Sequence, residues 1–427
     1  MNQDTETLLR IISAEDFDPQ STPNSSDRVL TEAQEIVDRV RDQGISAIRA
    51  YAIRFGELDE SAPMVLGRDA MRSAYEALQQ EDREALERAG ERIERFARAQ
   101  RDAIQTMTMD VPGGQAGHTV EPVRVAGCYA PAGRYPLPSS VLMTAITARA
   151  AGCERVVVSS PGAQQVALAA SYIAGADEFL CVGGAHAIAA MAYGFEGFER
   201  CDVIVGPGNG WVTAAKRIVS GDVGIDMLAG PSELLVLADE SADLNLIAAD
   251  LLAQAEHDSD AIPLLVTTCD AHAQQIQATI EDQLASLPTA DTAREALKNG
   301  FVIVCGSLEV AIEITDQLAP EHLEIMMADS ERVAARIRNA GALFIGSKSA
   351  EVIGDYGIGP NHTLPTGQTA RFQAGLSVVH FLRLRTWIRI DDPTACAPVL
   401  EDTQRIARME GLIGHERSAA RRALGTQ

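Results

Sequence analysis

The feature that most constrains the fold of this chain is an alternation that begins near Val123. From there, short apolar runs ending in Gly or Pro alternate with amphipathic stretches of roughly ten to fifteen residues. This alternation is typical of β-α units built on a parallel sheet. We therefore predict an α/β protein with two Rossmann-like parallel-sheet domains, N-terminal helices and a C-terminal helical arm.

Two series of strand signals define the two predicted sheets. The first series predicts strands at residues 123–125, 155–159, 178–182 and 201–205, with helices at 141–151, 163–174, 187–193 and 212–219. The second series predicts strands at residues 234–238, 263–268, 301–305 and 342–345, again with helices between them.

The domain boundaries follow from these series. The predicted regions are an N-terminal helical region (1–122) packing on the second α/β domain, a first α/β domain (123–233), a second α/β domain (234–375) and a C-terminal dimerisation arm (376–427). Within the arm, the charge pattern predicts one helix over residues 403–424.

The charge balance excludes several classes of partner. The chain has 60 Asp and Glu against 36 Lys and Arg, a formal net charge of −24. Such a surface repels nucleic acid and anionic membranes, so a phosphate-bearing ligand must be held locally by backbone amides and a few bases. The N-terminus has no apolar signal core, and no run approaches the ~18 apolar residues of a membrane span. We expect a cytoplasmic protein that binds neither nucleic acid nor membrane.

The cysteines support the same compartment. The seven cysteines include no C-x-x-C pair, and several lie inside apolar runs. Dispersed cysteines in odd number indicate reduced thiols that pack as small apolar side chains.

Residues 318–325, Leu-Ala-Pro-Glu-His-Leu-Glu-Ile, contain an adjacent acid and histidine, Glu321 and His322. A proline just before them predicts a rigid loop that delivers two titratable side chains to one place. Read alone, the pair has a second interpretation, a solvated acid beside a satisfied, half-buried imidazole.

Three glycine- or proline-rich loops follow predicted strands or precede them. Residues 206–210 read Gly-Pro-Gly-Asn-Gly, a G-x-G-x-G spacing that fits either an anion-binding helix start or a tight turn. Residues 129–135 form a second loop between a strand and a helix. Residues 226–233 precede a strand, and because ligands bind at strand ends in α/β proteins, Ser232 is a candidate substrate contact.

Gln254 and His257 lie three residues apart at the end of a predicted helix, so both project from one face. Such a pair either begins a metal site or leaves His257 as a helix C-terminal cap. Further donors occur at Asp355 with His362, and at Glu410 with His415. Carboxylate, amide and imidazole donors without a thiolate cluster favour Zn²⁺, with Mn²⁺ or Co²⁺ as alternatives.

Together these segments resemble the histidinol dehydrogenase family, from about Val123 to the C-terminus. The matching motifs are Tyr-x-Pro-x-Gly from Tyr129, Gly-Pro-Gly-Asn from Gly206, Ile-Asp-Met-x-Ala-Gly-Pro-Ser-Glu from Ile225, Gln-Ala-Glu-His from Gln254, Pro-Glu-His-Leu from Pro320 and Gly-Pro-Asn-His-x-Leu-Pro-Thr from Gly359. The resemblance implies an NAD-dependent, zinc-containing homodimer that oxidises L-histidinol through L-histidinaldehyde to L-histidine.

The resemblance also implies roles for individual residues. Glu321 and His322 would be the catalytic pair, and the NAD site would be lined by Tyr129 and Asn209. The zinc ligands would be Gln254, His257, Asp355 and His415. The substrate contacts would be Ser232, Gln254, His257, His322, Asp355, His362, Glu410 and His415. The C-terminal arm crosses the dimer in the family, so Glu410 and His415 would serve the partner's site.

Two positions depart from the family pattern, both on the predicted NAD side. His186 stands where a cofactor-contacting glutamine is usual, and Ala132 stands where the family has glycine. We expect altered cofactor affinity rather than lost function.

Two other functions fit parts of the pattern. A relative with the same machinery would act on another small alcohol, such as a sulfonated diol, but the intact Ser232, His362 and Glu410 set argues against it. A non-catalytic NAD- or metal-binding regulator would not need to retain both Glu321 and His322.

Overall fold

The computed structural model describes residues 8–17, 27–132 and 136–423, and within these ranges the strands form three sheets. In chain order the strands are β1 (Arg10–Ser13), β2 (Val65–Gly67), β3 (Met107–Val111), β4 (Gly114–Pro122), β5 (Val125–Tyr129), β6 (Arg155–Ser159), β7 (Glu178–Leu180), β8 (Val203–Val205), β9 (Gly224–Ile225), β10 (Glu233–Ala238), β11 (Ile262–Thr267), β12 (Phe301–Val304), β13 (His322–Met326), β14 (Ala342–Ile345) and β15 (Leu382–Ile390).

The helices alternate with these strands over most of the chain. They are α1 (Asp27–Gln43), α2 (Ile45–Arg54), α3 (Arg68–Glu76), α4 (Gln80–Asp102), α5 (Pro138–Ala151), α6 (Gln165–Ile173), α7 (Gly184–Tyr193), α8 (Gly210–Val219), α9 (Leu244–Ala255), α10 (Asp270–Leu284), α11 (Ala290–Leu297), α12 (Leu308–Leu318), α13 (Ser330–Ala334), α14 (Glu351–Asp355), α15 (Ala397–Met409) and α16 (Ile413–Ala423).

The first sheet has the strand order β2-β7-β6-β5-β8-β9. Its pairs are parallel except for β2, which runs antiparallel to β7. Alternate residues of β5 enter two separate apolar cores, Ala126 and Cys128 in one, Val125 and Tyr129 in the other, so both faces of the sheet are covered. The strand order reverses between β5 and β8, which creates a topological switch point at their carboxyl ends.

The second sheet has the order β1-β12-β11-β10-β13-β14, and all its pairs are parallel. Its central strand β10 is buried at every residue. Two parallel sheets with interleaved helices confirm the predicted α/β class. The predicted strands at 155–159 and 342–345 agree with β6 and β14 at both ends, whereas β13 was not predicted.

A third, antiparallel sheet joins distant parts of the chain in the order β15-β4-β3. β4 pairs with β15 along its whole length, from Pro122 opposite Leu382 to Gly114 opposite Ile390. The predicted helical region therefore ends in a β-hairpin, and the predicted helical arm begins with a strand.

The N-terminal helices pack on the first α/β domain, so the prediction that they cover the second domain is wrong. α1 contacts α7 and α8, α3 contacts α6, and α4 contacts α5. The physical reason is that their apolar faces, including Val37 and Ile93, complete the two cores of the first sheet. Strand β1 alone of this region, within the described residues, joins the second sheet, where it pairs with β12.

The C-terminal arm contains two helices where one was predicted. α15 ends at Met409, and α16 begins at Ile413. Gly411 between them has φ +75°, a left-handed conformation that breaks the helix. Residue 424, the last of the predicted helix, lies outside the described residues.

Among the described residues, none of the helices combines the length and apolar character that crossing a bilayer demands.

Candidate active site

His322 begins the inner strand β13, and Glu321 directly precedes it, so the predicted loop extends only as far as Glu321. α12 ends at Leu318, Ala319 adopts a left-handed conformation with φ 43°, and after Pro320 and Glu321 the chain enters β13 at His322. The strand forms because Leu323 and Ile325 alternate into a core of the second domain. Both titratable side chains are buried.

The backbone of Glu233, the first residue of β10, orients both members of this pair. Its amide donates to Glu321 Oε2 at 2.9 Å, and its carbonyl oxygen lies 3.1 Å from His322 Nδ1. Because a carbonyl only accepts, Nδ1 carries the proton and Nε2 is the bare nitrogen. Nε2 is buried without a hydrogen-bond partner in the described structure, as suits a base waiting for a substrate proton.

Burial sets the protonation of these groups. It lowers the pKa of His322 to about 4, so the imidazole is neutral at neutral pH. It raises the pKa of Glu321 well above the usual range, with the negative charges of Glu233 and Asp355 acting in the same direction. The pKa of Glu233 rises to about 7, again because of burial.

His257 and Asp355 lie beside this pair, and together with Gln254, which precedes His257 by three residues, we call them the donor group. Gln254 and His257 lie at the C-terminal end of α9, and Asp355 ends α14, which packs against α9. His257 Nε2 lies 3.8 Å from Asp355 Oδ2, while His322 Nε2 lies 3.9 Å from Asp355 Oδ1. Both side-chain polar atoms of Gln254 are buried without partners. An orphaned amide beside an imidazole and a carboxylate fits a metal ion.

Glu351 is a further acid of this site that the sequence reasoning missed. One ligand atom each from His322, Glu351 and Asp355 lie within 4.8 Å of one another. Burial raises the pKa of Glu351 well above its usual range, and the nearby Asp355 and Glu321 raise it further. The signal was present in the sequence, because Glu351 and Asp355 are four residues apart and share a helix face.

His362 connects the donor group with the first domain. Its Nδ1 lies 3.0 Å from the Asp355 carbonyl oxygen, and its Nε2 lies 3.3 Å from Ser140 Oγ at the start of α5. Asn361 fixes the same loop by donating to the Met143 carbonyl at 2.8 Å. Sequence patterns gave no sign of Ser140, because its contact with His362 spans 222 residues.

The remaining predicted substrate residues occupy two different settings. Ser232 is half-buried and directly precedes Glu233, whose backbone contacts Glu321 and His322. Glu410 and His415 are exposed at the junction of α15 and α16. Among the described residues, no hydrogen bond or ion pair links either of them to the donor group, so within one chain the structure does not bring them to the site.

The predicted cofactor residues lie at the switch point of the first sheet. Tyr129 ends β5, and its buried hydroxyl accepts from the Gly184 amide at 3.1 Å. Burial raises the pKa of Tyr129 to about 12. Asn209 is exposed and caps α8, its side chain accepting from the Val212 amide at 3.2 Å. Of the predicted loop at 129–135, residues 133–135 lie outside the described residues.

His186, the residue that departs from the family pattern, is buried in α7. Its Nε2 lies 2.8 Å from Glu57 Oε2, and Glu57 also accepts from the Gly183 amide at 3.2 Å. The ring packs against Tyr51 and Phe55 of the N-terminal region. The histidine therefore ties α7 to this region of the chain.

Comparisons with known proteins agree with one another. A family model described as histidinol dehydrogenase matches residues 20–423. Proteins named histidinol dehydrogenase from Prochlorococcus marinus and Thermus thermophilus are each 42% identical, over 93% and 90% of this chain and 91% and 92% of their own lengths. The solved histidinol dehydrogenase of Elizabethkingia anophelis aligns with TM-score 0.91 and 30% identity, covering 98% of each chain.

Proposed function

Because this chain belongs to the histidinol dehydrogenase family and is an oxidoreductase, we propose that it oxidises L-histidinol through L-histidinaldehyde to L-histidine. The reaction removes four electrons, which two NAD molecules accept in sequence around one retained aldehyde. These are the closing steps of histidine biosynthesis. The reducing compartment favoured by seven free cysteines supports a cytoplasmic location.

The observation that carries this proposal is the state of His322. It is buried, its Nδ1 proton is committed to the Glu233 carbonyl, and its Nε2 lone pair is unpartnered. In the first half-reaction Nε2 takes the hydroxyl proton of the alcohol while hydride leaves from the same carbon to NAD. The depressed pKa keeps the imidazole ready to accept that proton at neutral pH.

In the second half-reaction the aldehyde is hydrated before the second hydride leaves. Glu321 lies beside His322, with 3.6 Å between Oε2 and Nδ1, so its carboxylate is placed to draw a proton from the attacking water. Burial that raises the pKa of Glu321 also makes its carboxylate a stronger base. His322 accepts the hydroxyl proton of the hydrate, so it acts twice and Glu321 once. The sum of the two halves consumes one water and two NAD and releases two NADH and three protons.

A zinc ion fits the donor group, with Gln254, His257 and Asp355 from one chain and His415 from its partner as the proposed ligands. When bound, zinc would supply a template that binds the imidazole and amino nitrogens of the substrate. The orphaned Gln254 amide supports this assignment. Ser232, His362 and the partner's Glu410 complete the proposed substrate contacts, with Tyr129 and Asn209 lining the proposed NAD site.

The exposed arm supports a homodimer with shared active sites. Among the described residues, no hydrogen bond or ion pair links Glu410 or His415 to the donor group, and the C-terminal arm carries exposed apolar side chains that water would not favour. These side chains are Leu384, Ile388, Val399, Ile406, Met409, Leu412 and Ile413. A second copy that covers this face would also deliver Glu410 and His415 to its neighbour.

The direct test is purified protein supplied with L-histidinol and NAD, counting NADH per histidine formed. Two NADH per histidine, lost on chelation and restored by zinc, is the expected result. Absence of NADH with histidinol, together with turnover of another small alcohol such as a sulfonated diol, would assign the chain to a different substrate.

The shared site has its own test, in mixed dimers of two inactive variants. His322→Asn and His415→Ala damage opposite halves of a shared site, so random exchange of subunits restores about a quarter of wild-type activity. The matched control mixes His322→Asn with Glu321→Gln, which damage the same half and restore nothing. Failure of the first mixture to recover activity would place His415 in its own subunit's site or outside the site altogether.

A further inference from the structure

Lys216 and Asp226 form a buried ion pair behind the carboxyl end of the first sheet. Lys216 lies on α8 and Asp226 just after β9, and their side chains are 2% and 0% exposed. Burying two opposite charges brings a large desolvation cost, so a pair of this kind needs further hydrogen bonds. In this pair, two of the further bonds go to one residue, Gly206.

The Lys216–Asp226 pair holds the peptide groups on both sides of Gly206. Lys216 Nζ donates to the Gly206 carbonyl at 3.0 Å, and the Gly206 amide donates to Asp226 Oδ2 at 2.7 Å. The second carboxylate oxygen, Oδ1, accepts from the Met227 amide at 2.7 Å. The pair therefore fixes the orientation of the backbone on each side of Gly206.

Gly206 is a position where the backbone has little freedom to move. Its φ of +120° is a conformation that L side chains rarely adopt, and a Cβ there would lie 2.0 Å from the Tyr129 carbonyl oxygen. The chain at Gly206 is thus pressed against the backbone of Tyr129, and three residues later it reaches Asn209 at the start of α8. Tyr129 and Asn209 are the two proposed NAD contacts.

We propose that Lys216 and Asp226 are positioning residues for NAD, which act by holding Gly206 so that Tyr129 and Asn209 keep their relative placement. This inference rests on the proposed function. An apolar pair of similar size could fill the same space at little cost in stability, but it could not hold the two peptide groups of Gly206. The charges of Lys216 and Asp226 therefore serve to fix the backbone geometry of the loop at Gly206.

The substrate side has separate attachments, which makes the effect specific. The segment after Asp226 is held by Thr213 Oγ1, which donates to the Ala229 carbonyl at 2.5 Å, and by the Gly230 amide, which donates to Thr366 Oγ1. Loss of the pair should therefore disturb the NAD loop more than Ser232 and the catalytic pair.

The test compares a packed double variant, Lys216→Met with Asp226→Leu, with wild type. We expect a folded protein whose KM and directly measured Kd for NAD rise at least tenfold, while KM for histidinol and kcat at saturating NAD change less than threefold. Asp226→Asn, which preserves shape and one acceptor oxygen, is the second variant, with an expected rise of threefold or more in the Kd for NAD.

A control ion pair, with side chains 28% and 40% exposed, lies near the amino ends of β6 and β7 in the same sheet. Arg149 pairs with Asp177, whose Oδ2 accepts from the Val156 amide at 2.8 Å near the start of β6. Arg149→Met with Asp177→Leu removes an ion pair and four side-chain hydrogen bonds to the backbone there, and it should leave the Kd for NAD unchanged.

The outcomes separate this inference from the proposed function. An unchanged Kd for NAD in whichever Lys216 or Asp226 variant folds, with wild type binding NAD normally, would overturn the positioning role alone. An equal loss of NAD affinity in the Arg149–Asp177 control would also overturn it, because a general loss of stability would then explain the effect. A wild type that does not bind NAD would refute both.

Discussion

The two parallel sheets present opposite ends to the proposed reaction. In the first sheet, the carboxyl ends of β5 and β8 carry Tyr129 and Gly206; in the second, the amino ends of β10 and β13 carry Glu233 and His322. Around Gly206, buried charges are paired and bonded to the backbone. Around His322, several buried polar atoms, His322 Nε2 and both carboxylate oxygens of Glu351 among them, lack hydrogen-bond partners within the described residues.

This difference distinguishes buried polar groups that hold the fold from buried polar groups that are available to a ligand. A buried ion pair that is also hydrogen-bonded to the backbone fixes that backbone and needs no ligand. An unpaired buried imidazole or amide costs stability unless a ligand satisfies it, so its presence points to chemistry. We therefore expect substitutions near the amino ends of β10 and β13 to reduce activity with little loss of stability. Substitutions near the carboxyl ends of β5 and β8 should instead act on NAD binding.

The largest effect should come from His322→Asn, which preserves a donor near the Nδ1 position but removes Nε2. Loss of the general base should lower kcat for both histidinol and histidinaldehyde by about 10³- to 10⁴-fold. Stopped-flow measurement of each half-reaction checks this, with urea unfolding as a control that should show a stability within ~1 kcal/mol of wild type. A large fall in the free energy of unfolding would mean that His322 stabilises the fold, as the ion pair of the first sheet does, and would contradict the contrast between the two sheets.

The next effect should come from Glu321→Gln. Because Glu321 is proposed to act only on water, aldehyde oxidation should fall about 10²-fold and alcohol oxidation much less. The two rates are measured separately, with histidinol and with histidinaldehyde as substrate. Equal losses in both halves, or a pattern identical to that of His322→Asn, would contradict the division of labour.

Zinc should stabilise the protein by binding the donor group, where the Gln254 side chain lacks a hydrogen-bond partner within the described residues. At a free zinc concentration a hundred times the Kd, binding should add about 2.7 kcal/mol to the free energy of unfolding. Differential scanning fluorimetry with and without zinc measures this as a rise in Tm. In Gln254→Leu the rise should be much smaller while the zinc-free protein is at least as stable as wild type. Equal rises in both proteins would mean that zinc binds elsewhere.

The smallest effect concerns Glu233, whose pKa is raised to about 7 by burial. A carboxyl with a folded pKa above its unfolded value of about 4.3 stabilises the fold fully below that pH, and this contribution is lost as pH rises through 7. Glu233→Gln preserves an oxygen for the Gly367 amide and cannot ionise, so above pH 8 it should be more stable than wild type by on the order of 2 kcal/mol. Below about pH 4, where the carboxyl is protonated in both states, the two should unfold at the same urea concentration.

Much of the fold could be predicted because its signals are local. Apolar runs with flanking glycines located β6 and β14 at both ends. Helix spacing predicted one shared face for Gln254 and His257, but α9 ends at Ala255, before His257. β13 was missed because its residues follow a proline and include Glu324, whose burial at 1% exposure depends on neighbours elsewhere in the chain. Sequence periodicity reports which face is apolar, not which domain that face covers, so the N-terminal helices were assigned to the wrong one.

The site was predicted in part, and the missing part is spatial. Glu321, His322, His257, Asp355 and His362 were identified from motifs, and the structure brings them together. Their catalytic and ligand roles stay predictions. The proposed NAD residues follow the usual expectation that ligands bind at the carboxyl ends of strands, whereas the proposed catalytic residues lie at the amino ends. Contacts between distant segments, such as Ser140 with His362, have no signature in either segment alone.

The pairing of β4 with β15 also bears on how the protein is made. Side chains that bridge these strands are 261 to 274 residues apart in sequence. At roughly 5–20 residues per second on a ribosome, β4 waits on the order of ten to fifty seconds for its partner strand. Over that time its outer edge is unpaired, a template for wrong strands. The proposed partner-site residues Glu410 and His415 follow β15 in the chain, so a nascent chain would remain inactive until they too have been made.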